Sequence, residues 1–148
     1  MGLFDMVLGR ESQVQEILTP AEAVTAITLS TTATDGYLSQ EEADHISSIL
    51  SRMKLFRNYP QEVMNRLIDK ILVILRRDGM NTLFNTAKES LSPELREAAF
   101  AVTTDLVLAN SPVTEEEINF LTDLYQALGV SNDIAIQIVQ VMLIKNRG

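Results

Sequence analysis

Cysteine is absent from all 148 residues, which excludes disulfides, thiolate metal sites and a cysteine nucleophile. A lone histidine, His45, excludes multi-histidine zinc centres, so any metal held here is held mainly by oxygen. Tryptophan is also missing and tyrosine occurs only 3 times, which removes the stacking surface that a carboxylate pair needs to work as a glycosidase. No glycine-rich phosphate loop and no nucleophile motif is found, so no catalytic residue, no organic cofactor and no enzymatic activity are expected. Basic residues are few, 12 Lys and Arg against 20 Asp and Glu for a net charge of −8, whereas a nucleic-acid surface needs clustered cations. The nearest pairs, Arg76-Arg77 and Lys145 with Arg147, fall at expected helix ends and offset the partial negative charge of the last carbonyls. No nucleic-acid partner is expected, and the acidic excess favours cations or basic protein surfaces.

Long apolar runs are lacking too. The longest, Ile71 to Leu75, is too short to span a bilayer, so no transmembrane segment is expected. The start Met1-Gly2-Leu3-Phe4-Asp5 lacks a basic leader, and Met6 stands where an acyl-transfer signal has Ser or Thr. A cytoplasmic protein is the expectation, in keeping with the absence of disulfides.

What is present is the balance of a globular protein, 46% hydrophobic and 22% charged residues, in a length suited to one domain over 1–148. The punctuation is helical throughout. Phe4, Val7, Leu8, Val14, Ile17 and Leu18 recur at spacings of three and four and suggest a first helix. Thr19-Pro20-Ala21-Glu22 is a capping box with proline at the first helical position, predicting a helix from Pro20 to about Thr34. Ser39 and Glu42 form a second box, opening a helix to about Met53. The segment after Tyr59-Pro60, with Val63, Leu67, Ile71, Ile74 and Leu75 on one stripe and Gly79 as its stop, is expected to be the central core helix. A short helix over Asn81 to Lys88 follows. Ser92-Pro93 opens another helix, with Leu95, Ala98, Ala99, Val102, Leu106 and Ala109 on its buried face. Thr114 and Glu117 make a third box for a helix that Gly129 stops, and Ser131 caps the last one. Ile134 to Val141 alternates like a strand, but nothing nearby could pair with it as a sheet, so it too is read as helix. It is apolar on more than one side, which predicts burial, the alternative being a homodimer through this C-terminal helix.

A shift of 75 residues aligns Ala23–Leu50 with Ala98–Tyr125 without a gap. Ala23, Ala26, Thr28, Glu41 and Glu42 recur as Ala98, Ala101, Thr103, Glu116 and Glu117, and Leu38-Ser39 becomes Val113-Thr114. Five identities are few, but the order of helix, polar turn, capping box and helix recurs with them. The expected fold is therefore all-α, a compact bundle of about seven helices with an internal pseudo-two-fold repeat, its halves running over 20–78 and 93–146.

The turn Asp35-Gly36-Tyr37-Leu38-Ser39-Gln40-Glu41-Glu42 overlays the second half of an EF-hand loop, with Gly36 at the glycine position and Glu42 at the final ligand. The first half does not fit, because Thr31 and Ala33 stand where carboxylates belong, and their counterparts are Leu106 and Leu108. Asp35 and Glu42 are expected to lie near one another across the turn and could hold a divalent cation with help from the other half, His45 being a further candidate ligand. The competing reading is purely architectural: Asp-Gly turns the chain, while Ser39 and Glu42 cap a helix.

An Ala-rich helix followed by Asp-Gly-x-Leu-Ser-x-x-Glu at the next helix start resembles the TerB-like family associated with tellurite resistance, whose domain is similar to the N-terminal region of a DnaJ-type membrane co-chaperone. The resemblance covers about residues 20 to 145. It implies an all-α bundle with two-fold pseudo-symmetry, a cytoplasmic stress-response role without established catalytic activity, and acidic residues that bind metal ions. Carried over, the metal positions are Asp35 and Glu42 in the first half and Asn110 and Glu117 in the second. This chain departs from the pattern at Asn110-Ser111-Pro112, which loses a carboxylate and the glycine of the second turn. The alternative function is a helical protein-interaction or co-chaperone-like adaptor, working through an apolar patch such as Ile136, Val139, Leu143 and Ile144, with protein partners in either case.

Overall fold

The computed structural model describes residues 17–33, 35–109 and 113–147. Among them are seven α-helices and no strand: α1 (Pro20–Leu29), α2 (Gln40–Leu50), α3 (Gln61–Asp78), α4 (Met80–Glu89), α5 (Pro93–Leu108), α6 (Glu115–Leu128) and α7 (Asn132–Lys145). A short 3-10 turn, Lys54–Phe56, links α2 to α3. The helix suggested for Phe4 to Leu18 falls almost wholly outside the described residues, of which Leu18 is buried and Ile17 exposed.

Local chemistry starts these helices where the sequence signals do. Thr19, Ser39 and Thr114 each accept a bond from the backbone N–H three residues on, and Glu22, Glu42 and Glu117 reach back to the cap N–H, so all three capping boxes are closed. Ser92 and Ser131 cap α5 and α7 through the same N–H without a return bond. Gly129 ends α6 in the left-handed conformation at φ 75°, where a side chain would be strained.

Two helices end sooner than the apolar pattern predicts. Helix α1 stops at Leu29 rather than near Thr34, because the hydroxyls of Ser30 and Thr31 donate to the carbonyls of Ile27 and Thr28 and replace the helical ladder with a turn. Helix α2 stops at Leu50 rather than Met53, where the Ser51 hydroxyl donates to Ser47 O and the chain tightens toward the 3-10 turn.

The centre of the molecule also differs from expectation. Helix α3 carries a buried stripe of Leu67, Ile71, Ile74 and Leu75, but Val63 is only half-buried and Val73 is exposed, so it is amphipathic and flanks the core. The interior belongs instead to α1 and α5, which pack on each other: α1 is buried continuously from Ala23 to Leu29, and α5 from Val102 to Leu108. Their small residues, Ala23 and Ala26 in α1 and Ala99 in α5, allow close backbone approach. Helices α2, α3 and α4 cover α1, while α6 and α7 cover α5. Ala98 and Ala109, predicted for the buried face of α5, are half-buried and exposed respectively.

Helix α7 overturns the expectation of burial. Ala135 alone is fully buried there; Ile134, Ile138, Val139 and Met142 pack partly against the core, and Ile136, Val141, Leu143 and Ile144 face outward. As the last helix it lies against α5 and α6 with no described element over its other side. Its inner end is pinned by Asp105, a buried carboxylate of α5 that takes Lys145 Nζ at 3.2 Å and Asn146 Nδ2 at 2.9 Å. Lys145 therefore does more than soften a helix terminus.

Candidate functional site

The starts of α2 and α6 open onto one cleft of about 790 Å³. Glu41 and Glu42 line it from the first turn of α2, and Glu116 and Glu117 from the first turn of α6. Helix starts carry partial positive charge, so carboxylates collect there at little cost. The result is an acidic rim contributed equally by two helices that start 75 residues apart in the chain.

The walls are unlike each other. Thr31, Thr32 and His45 from the first segment are polar, with Ile46 beside them, and Leu106, Val107 and Phe120 from the second are apolar, with Thr114 beside them. Six of these correspond in pairs under the 75-residue shift: Thr31 with Leu106, Thr32 with Val107, His45 with Phe120. Glu41 pairs with Glu116 and Glu42 with Glu117 in the same way, whereas Ile46 and Thr114 line the cleft without their counterparts, Leu121 and Ser39. Charge is thus retained in both sequences while polarity at the remaining pairs is divided between them.

Of the four residues carried over from the family resemblance, Glu42 and Glu117 come together in this cleft. Each spends Oε1 on its capping box, accepting from Ser39 N at 3.0 Å and Thr114 N at 3.1 Å. Asn110 lies outside the described residues. Asp35 is not among the lining residues; its Oδ1 accepts from Tyr37 N at 3.0 Å, closing a tight turn on itself.

That turn is strapped to the far end of α3. Arg76 Nη1 donates to Gly36 O at 2.7 Å, and its guanidinium lies 4.9 Å from the centre of the Tyr37 ring. Gly36, at φ 90°, brings its backbone against the aliphatic stem of Arg76, leaving no room for a side chain. Of the pair Arg76-Arg77, read from sequence as a helix end only, one therefore positions a loop. Arg77 makes a two-pronged pair with Asp78 at 2.9 Å. No sequence signal marks the Arg76 strap, because the two partners are 40 residues apart.

No family model, curated protein or solved structure matches the chain. Among the described residues no group of three or more His, Asp or Glu side chains is close enough to hold a metal ion directly. Hard divalent cations take six to eight oxygens, so the rim as arranged does not fit a dehydrated ion. What four carboxylates beside an apolar wall do fit is a cation with an apolar stem.

Proposed function

We propose that this chain is a non-enzymatic, TerB-like stress-response protein of the cytoplasm that binds basic side chains of a protein partner in the cleft between α2 and α6. The observation that carries the reading is the convergence of Glu41, Glu42, Glu116 and Glu117 on one cleft whose second-half wall, Leu106, Val107 and Phe120, is apolar. A lysine or arginine side chain lays its methylenes on such a wall and its charge among the carboxylates, a combination that a bare metal ion does not use. The two segments that the 75-residue shift aligns would each supply one acidic helix start. The net charge of −8 adds long-range attraction for a basic partner.

A divalent cation is the second reading. It is favoured by the presence of Glu42, Glu117 and His45 on the same cleft, and the ion would be held partly through its own water. The two readings separate in one experiment. Glu42→Gln with Glu117→Gln removes two charges yet keeps the capping boxes, because glutamine serves at that position as glutamate does.

A fluorescent lysine- and arginine-rich peptide is expected to bind the native protein, and the double substitution to weaken it by about tenfold, or about 1.4 kcal/mol. Glu62→Gln with Glu94→Gln, equal in charge but away from the cleft, should change binding far less. Equal losses in both variants would reduce the interaction to net charge and remove the cleft from it. Calcium, manganese or zinc raising the melting temperature of the native protein but not of the cleft variant would favour the cation reading.

A further inference from the structure

The outward face of α7 is self-complementary when two copies run antiparallel. At about 100° per residue, Asp133, Ile136, Gln137, Gln140, Leu143 and Ile144 fall on one side of the helix, and Arg147 follows just beyond its end. All are exposed, Ile136 by 47% and Ile144 by 61% of their surface. Three exposed apolar side chains, Ile136, Leu143 and Ile144, thus flank a polar midline of Asp133, Gln140 and Arg147.

We propose that α7 pairs antiparallel with α7 of a second copy, about a two-fold axis at Gln140. That axis sets residues equally far before and after Gln140 opposite one another, as an isologous interface requires. Ile136 then faces Ile144 of the second copy, Gln137 faces Leu143, and Asp133 faces Arg147, each twice by symmetry. A parallel pairing would set Asp133 on Asp133 and Arg147 on Arg147, so charge selects the antiparallel arrangement, which also opposes the helix dipoles favourably. Lys145 does not compete for this role, since it is turned to Asp105 of its own chain.

Beside Ile136, between α6 and α7, lies a groove of about 320 Å³ lined by Ile118, Tyr125, Ala135 and Val139. Ile144 of the second copy stands opposite Ile136 at its mouth. The helix is only about 21 Å long, so the interface is small and the dimer is of the reversible, micromolar kind. The proposal concerns α7 and stands apart from the cleft.

The test uses the full chain. Sedimentation over about 1 to 500 µM should show a reversible monomer–dimer equilibrium. Ile144→Glu should abolish the dimer while leaving the helical circular dichroism unchanged. Asp133→Arg and Arg147→Asp should each weaken it by about tenfold or more, and the two together should restore it. Because the chain has no cysteine of its own, Gln140→Cys supplies a clean reporter: mild oxidation should link two copies, whereas Glu62→Cys should not link. A chain monomeric over the whole range overturns the proposal, and so does a dimer indifferent to Ile144→Glu or a charge exchange that fails to restore association. A native chain that dimerises only after removal of residues 1–16 assigns the face to that segment and overturns it equally.

Discussion

Thr103 Oγ1 lies 3.4 Å from Thr28 Oγ1, hydroxyl against hydroxyl, in the closed interface between α5 and α1. Both residues are wholly buried, and Thr28 Oγ1 passes the bond on to Val24 O at 3.0 Å. The two are 75 positions apart, counterparts under the shift that overlays Ala23–Leu50 on Ala98–Tyr125. Valine matches threonine in shape. Thr28→Val should therefore cost about 1–2 kcal/mol by stranding the Thr103 hydroxyl, whereas Thr28→Val with Thr103→Val should cost less than the sum of the singles. A coupling of about 0.5 kcal/mol or more in a urea double-mutant cycle is the expected reading; strict additivity would mean that the hydroxyls do not communicate.

The capping boxes allow charge and cap to be separated. Ser39→Ala and Thr114→Ala should each destabilise by about 1 kcal/mol, since each strands the N–H that the cap hydroxyl satisfies at 3.1 Å. Glu42→Gln and Glu117→Gln should stay within about 0.5 kcal/mol of the native protein. Chemical denaturation measures both, and a neutral Ser39→Ala would show that the box does not hold α2.

At Gly36 two costs coincide. Gly36→Ala meets a φ of 90° and the Arg76 stem together, and should destabilise by about 1–3 kcal/mol. Arg76→Ala removes the bond to Gly36 O and the contact with Tyr37 but also clears the space. In the double variant only the φ strain remains to be added, so the two effects should fall short of additive. Additive losses would mean that the Arg76 stem simply moves aside.

Acid should act through Glu22. Burial raises its pKa, but the bond from Lys70 Nζ at 2.6 Å and the backbone N–H of Thr19 outweigh that, so it lies below the usual carboxylate value. A carboxylate whose pKa is lower folded than unfolded adds stability that is complete above the unfolded value, about 4.3, and is lost as pH falls through the folded one. The gap in urea midpoint between the native protein and Glu22→Gln should accordingly be widest near neutrality and close in the acid range below about pH 4.3. A gap that stays constant from neutrality down to pH 3 would sink this account.

Much of this was legible in the chain because it is local. Caps, glycine stops and proline starts act over three or four residues, so Thr19, Ser39, Ser92, Thr114, Gly129 and Ser131 announce their helices without help from the rest of the fold. The 75-residue shift pairs Glu42 with Glu117, and both line the one cleft. Helix ends were less legible, since the hydroxyls of Ser30 and Thr31 bond to the carbonyls three residues back, where apolar periodicity would have continued the ladder.

Burial was decided only by the assembled bundle. The apolar content of α7 resembles that of an internal helix, yet its place at the edge of α5 and α6 leaves Ile136 and Ile144 outside, while the less apolar-looking α5 is enclosed from several sides. The setting of Asp35 likewise depends on a distant segment, since Arg76, reaching over from α3, holds the Asp35-Gly36-Tyr37 turn, while Glu42 lines the cleft. Short-range hydrogen bonding sets where each helix begins, and sequence carries that information in adjacent residues. Which face of a helix meets water depends on which other helices surround it, and that is set by contacts between segments far apart in the chain.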